Sequence, residues 1–69
     1  MTPSIMRLFW NLVYQAQPNL ILHLEDEKLI SWLKDQVRQK LSLDRHQEDD
    51  LRDYISDRIP LIRDIASNQ

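Results

Sequence analysis

Three long stretches of this chain bring apolar residues back every three to four positions, the period of an amphipathic helix. The first opens on Thr2-Pro3, a hydroxyl cap followed by proline at the first helical position. Ile5, Leu8, Phe9, Leu12 and Ala16 then share one face, and Pro18 denies Gln17 the helical region, so the helix is expected to end near Ala16. The second begins at the acidic run Glu25-Asp26-Glu27, suited to the positive end of a helix dipole. Its buried stripe reads Leu29, Ile30, Leu33, Val37 and Leu41, with Trp32 on the flank and Lys34, Arg38 and Lys40 in the last turns. Ser42-Leu43 makes a short turn. The third starts at Asp44, an N-cap with Gln47 three residues on, the spacing of a capping box.

Two places are harder to read. Residues 18–24 can form a short strand, but no second strand-like run exists to pair with it. We read them as a loop, with room for one helical turn, that lays Leu20, Leu22 or Leu24 across the core. In the third stretch Leu51, Tyr54, Ile55 and Ile59 form a stripe that Pro60 interrupts, yet the pattern continues through Ile62, Ile65 and Ala66. Proline lacks a backbone donor and pushes the preceding residue away from helical dihedrals. The helix is therefore expected to kink there or, as we favour, to stop at Arg58 and restart at Pro60. Ser67-Asn68-Gln69 should fray. The expected fold is all-α: a compact bundle of three main helices plus a short C-terminal helix after Pro60, in one domain over residues 1–69.

Composition narrows the chemistry. The chain has no cysteine, which removes disulfides, thiolate metal sites and thiol nucleophiles. It has no glycine, which removes glycine-rich phosphate loops, dinucleotide fingerprints and nucleophile elbows. Helix ends that would use a positive φ must take Asn or do without. A secretory signal is not expected, because Arg7 stands alone and no small-residue cleavage site follows. The uncharged run from Leu8 to Leu24 is broken by Pro18 and by amides, too polar to span a bilayer. A soluble, cytoplasmic chain is expected.

Three segments carry a resemblance: Leu8-Phe9-Trp10-Asn11-Leu12-Val13, Leu29-Ile30-Ser31-Trp32-Leu33, and Leu51-Arg52-Asp53-Tyr54-Ile55 running on to Pro60-Leu61-Ile62-Arg63-Asp64-Ile65-Ala66. They resemble a group of short cyanobacterial proteins of unknown function. The resemblance implies a source and a helical fold, and carries no activity or site residue.

The polar residues suggest little chemistry. Glu48, Asp49, Asp50, Asp53 and Asp57 make an acidic face on the third helix, with Asp49, Asp53 and Asp57 on one side. His46 lies four residues before Asp50, a spacing fit for a metal, but a site needs ligands from another element. The face is read as solvated, with Arg45–Asp49 and Glu48–Arg52 pairs along the helix. His23 and His46 are the only histidines, and neither has a partner for acid–base work in the sequence. No catalysis, cofactor or metal is expected. Lys34, Arg38, Lys40 and Arg45 form a modest basic patch that would serve a nucleic-acid-linked regulator, the alternative reading. The net charge of −2 and the acidic third helix argue against it.

One surplus stands out. Met6, Trp10 and Val13 widen the apolar arc of the first helix to roughly 200°, about twice what a surface helix needs. Arg7, Asn11 and Gln15 keep only a narrow polar edge. Met6, Trp10 and Val13 are therefore the expected protein interface, partly exposed in a monomer and covered by another protein or a second copy of the chain. The function expected is a non-enzymatic interaction, regulatory or assembly factor.

Overall fold

A computed structural model of the protein describes residues 2–68 as four helices and no strand. Helix α1 spans Pro3–Gln15, α2 Pro18–His23, α3 Asp26–Lys40 and α4 Arg45–Ser67. The expected all-helical bundle is the observed one. Its Cα radius of gyration of 11.2 Å matches the roughly 11 Å of a compact chain this long.

Local signals explain most boundaries. The Thr2 hydroxyl accepts the Ile5 amide at 3.2 Å and caps α1. Pro18 holds Gln17 at φ −66°, ψ 129°, ending α1, and then occupies the first turn of α2. At α4 the Asp44 carboxylate accepts the Gln47 amide at 2.8 Å, while the Gln47 side chain accepts the Asp44 amide at 3.1 Å. The expected capping box is therefore complete. No described residue has a positive φ. Ala16, Leu24 and Leu41 leave their helices in extended conformations instead, so the chain does without the left-handed C-cap that glycine supplies.

Three expectations need correction. Residues 18–23 form a helix rather than a loop, and Ile21 is the residue buried there, while Leu20 and Leu24 are half-buried and Leu22 is exposed. Coiling the segment turns one side chain in six fully inward, where an extended strap would have offered alternate leucines. The short helix also stands between α1 and α3, not after Pro60. Pro60 lies inside α4, which runs without a break from Arg45 to Ser67. It is tolerated because Pro60 and Ser56, whose carbonyl loses its partner, are both exposed, so water can satisfy that carbonyl. Continuity in turn keeps Ile55, Ile59, Ile62 and Ala66 buried on one face. Ser67 and Asn68 are held rather than frayed, both bonding to the Asp64 carbonyl at 2.9 Å. Gln69 lies outside the described residues.

Helix α4 is the spine. It packs most extensively against α3 and α2, while α1 leans mainly on α3. The core is apolar throughout, with Phe9, Leu29, Leu33, Val37, Leu51, Ile55 and Ile62 sealed from solvent and no buried polar residue among those described. Arg52 to Glu27 at 2.6 Å, Arg38 to Glu48 at 3.1 Å and Arg63 to Asp26 at 2.7 Å tie α3 to α4 along its edges.

Proline in an exposed helix interior costs about 3 kcal/mol relative to alanine, partly offset by about 0.4–1 kcal/mol from stiffening the unfolded chain. Pro60→Ala should therefore raise stability by about 2 kcal/mol, with a melting temperature higher by about 4–8 °C per kcal/mol. Calorimetry showing no rise would mean that Pro60 makes a compensating contact. Leu33→Ala should cost about 2–5 kcal/mol, read as a lower urea midpoint at unchanged slope.

Candidate functional site

The interface expected on α1 separates into three different environments. Val13 is 1% exposed and belongs to the core, so it offers no surface to a partner. The other helices wrap far enough around α1 to use Ile5, Phe9 and Val13 as its central buried stripe. Trp10 is half-buried against that core. Its ring meets Phe9 edge-on at 5.0 Å and Tyr54 at 6.3 Å, and its Nε1 donates to the Tyr54 hydroxyl at 3.0 Å. The Arg58 guanidinium in turn covers the Tyr54 ring at 4.3 Å. A tryptophan with its polar edge satisfied inside the fold is a bridge between α1 and α4 more than an anchor for another molecule. Met6 alone is exposed, at 37%.

The opposite flank of the α1 stripe carries the more complete site. Leu12 of α1, Ala16 just after its end, Leu20 of α2 and Trp32 of α3 form the floor and walls of an open groove of about 350 Å³. Gln15, Gln17 and Gln36 make its rim. All four apolar residues are half-buried, and Leu12, Ala16 and Trp32 pack on the core from one side. Among the described residues no titratable side chain lines the groove. It can seat an apolar side chain and offer amide donors and acceptors to a peptide backbone, and it holds no nucleophile or general base. Only Trp32, on the flank of its stripe, signalled this place in the sequence. Leu12 and Ala16 are indistinguishable there from core residues, and Leu20 becomes a wall only because residues 18–23 coil.

The charged candidates sort differently. Arg38 lies 3.3 Å from Asp35 and 3.1 Å from Glu48, so two acids offset the middle of the basic patch. Lys40 sits about 240° around α3 from Lys34, which divides the remaining cations between faces. Arg45 is exposed at the start of α4. On the acidic face Glu48 and Arg52 turn to partners on α3 rather than to each other. Asp49, Asp53 and Asp57 are exposed. His46 Nε2 lies 3.4 Å from Asp50, as their spacing allows, but among the described residues no third His, Cys, Asp or Glu joins them. His23 is exposed and its Nδ1 donates back to the Asn19 carbonyl at 2.7 Å, a bond the carbonyl can only accept. A depression of about 430 Å³ lies beside Gln39 and the paired Asp35 and Arg38. No described helix is long and apolar enough to cross a membrane.

Tyr54→Phe leaves Trp10 Nε1 without its protein partner and should destabilise the fold by about 1 kcal/mol. Thermal melts of the variant and of Trp10→Phe, which removes the same bond from the other end, should be nearly non-additive when the two are combined. Full additivity would show that the bond contributes nothing. The chain matches no protein-family model, no curated protein and no solved structure, so the assignment of a role rests on the groove itself.

Proposed function

We propose that this chain is a non-catalytic interaction module whose groove between α1, α2 and α3 takes an apolar side chain from a partner protein. The observation that carries the reading is the groove's lining. Leu12, Ala16, Leu20 and Trp32 stay open to solvent, ringed by three glutamines and no ionisable group, on a chain with 29% charged residues. A neutral apolar recess on so charged a surface favours a neutral apolar occupant, because a charged one would lose hydration without gaining a counter-charge. The tryptophan suits the purpose, since aromatic residues are enriched where interfaces concentrate their energy.

Magnitudes set the kind of binding. Burying one Leu- or Phe-sized side chain contributes about 1.5–3 kcal/mol, which does not hold two proteins together against the cost of association. A standard interface covers about 800 Å² per partner. That is about one sixth of this chain's 4593 Å², well beyond the groove. The partner's contacts therefore extend over the polar rim, and the association is reversible, as fits a regulatory or assembly factor. A second copy of the chain is one such partner, with the groove in place of the Met6 edge as the shared surface.

Photo-crosslinking in cells expressing the chain tests this. Benzoylphenylalanine in place of Gln36, on the rim, should give defined adducts, whereas the same group in place of Ser56, exposed on α4, should give none. Adding Leu12→Gln, with an unchanged melt as the control for folding, should abolish them. An adduct of twice the chain mass identifies a homodimer. Equal labelling from Gln36 and Ser56, or adducts indifferent to Leu12→Gln, would refute the groove as the docking site.

A further inference from the structure

We propose that α2 is a latch: it opens ahead of the rest of the bundle, Arg63 holds it shut, and its opening widens the groove. The gating role rests on the groove reading above, while the latch stands on the geometry of α2 alone.

Left to itself α2 has little to keep it helical. Six residues fall far below the roughly 12–15 that a helix needs in water. Gln17 gives it no side-chain cap. Its end hydrogen bonds are long, at 3.1 Å for Leu20 to Gln17, 3.4 Å for Ile21 to Gln17 and 3.3 Å for Leu24 to Leu20. Neighbouring helix ends close at 2.9 Å for Ala16 to Leu12 and 2.8 Å for Leu29 to Glu25. Ile21 is its single fully buried side chain. Extended residues, Gln17 and Leu24, flank it on both sides and set it apart from the helical registers of α1 and α3, so that its packing is chiefly against α4.

What α2 lacks, α4 supplies. Arg63 Nη1 donates to the Ile21 carbonyl at 2.7 Å and more distantly to Leu22 at 3.4 Å. Its Nη2 donates to the Leu24 carbonyl and to the Asp26 carboxylate, both at 2.7 Å. The guanidinium thus fills the orphan acceptors at the C-terminal end of α2, where the helix dipole also favours a cation. One planar fork closes the segment, and Asp26 at the start of α3 steadies the fork. Segments that bury few apolar groups and depend on exposed hydrogen bonds are those that open first in a native protein.

The consequence for the groove follows from adjacency. Leu20, a wall of the groove, immediately precedes Ile21, the residue seated in the core. When α2 lifts, the wall moves away and the seat of Ile21 empties, so a shallow recess becomes a cleft that reaches the core. A partner side chain larger than the closed groove accepts can then enter.

Native-state hydrogen exchange in low urea, on the whole chain, tests the latch. The amides of Leu20, Ile21 and Leu24 should be at least tenfold less protected than those of Leu33 and Ile55. Arg63→Lys keeps the charge but loses the fork, and should lower protection at those three amides by roughly another tenfold while Leu33 and Ile55 stay unchanged. Asp26→Asn, which removes only the steadying carboxylate, should act on the same three amides to a smaller extent. Crosslinking from Gln36 should rise in the Arg63→Lys chain. If α2 exchanges only with the core, or if Arg63→Lys loosens every helix alike, the latch is wrong while the groove reading survives. If exchange behaves as expected but the Gln36 yield does not change, the gating role is wrong. If Gln36 gives no adduct in the wild type, the docking reading fails whatever the exchange shows.

Discussion

Arg63 is the contact on which the arrangement of this bundle turns. Its guanidinium lies 2.7 Å from acceptors at the end of α2, in the link that follows and at the start of α3. Among the described residues no other side chain hydrogen-bonds to so many elements. The bonds of Arg63 to the Ile21 and Leu24 carbonyls are partly buried, while the one to the Asp26 carboxylate is exposed. Their placement depends on Pro60. Had α4 broken at Arg58 and restarted, Arg63 would have lost its fixed angle to Ile55 and Ile59, and the fork would point elsewhere. The continuity of the helix through a proline and the capping of α2 are thus one structural fact.

The absence of glycine shapes the connections. With no residue that enters the left-handed region cheaply, each of the first three helices ends by stepping directly into extended backbone. Such exits leave terminal carbonyls that a Schellman turn would otherwise satisfy. At α2 the guanidinium of Arg63 takes that place. A chain without glycine has less conformational entropy to lose in its links, and at α2 a side chain from another helix finishes the helix end.

Charge is used in two ways on this surface. Between α3 and α4 it is paired across helices, so Glu48 and Arg52 serve the α3–α4 seam and the basic run around Arg38 is offset by neighbouring acids. Around the groove it is absent, and amides stand in its place. The division matters for what the protein can hold. A phosphate backbone needs a concentrated cationic field, which the paired Arg38 and the exposed Asp49, Asp53 and Asp57 dilute. An apolar side chain needs a recess without charge, which the α1–α3 flank provides.

Much of the fold was legible in the residues alone. The stripes of α1, α3 and α4, the Thr2 cap, the Asp44–Gln47 box and the stop before Pro18 are all local, and local steric and hydrogen-bonding rules act on neighbours in the chain. Leu29, Leu33, Leu51 and Ile55 are core because period and apolarity agree at each of them. The rest needed partners distant in sequence. Residues 18–23 are helical because an arginine some forty positions away caps them, and Pro60 stays inside a helix because the core on its far side rewards unbroken register. Trp10 is engaged because α4 brings Tyr54 to it, and Val13 is buried because the other helices pack around α1. The width of an apolar arc says how much surface must be covered, but not which helix covers it. That choice belongs to tertiary packing, which buries Val13, leaves Met6 exposed and sets Leu12 and Trp32 along an open groove.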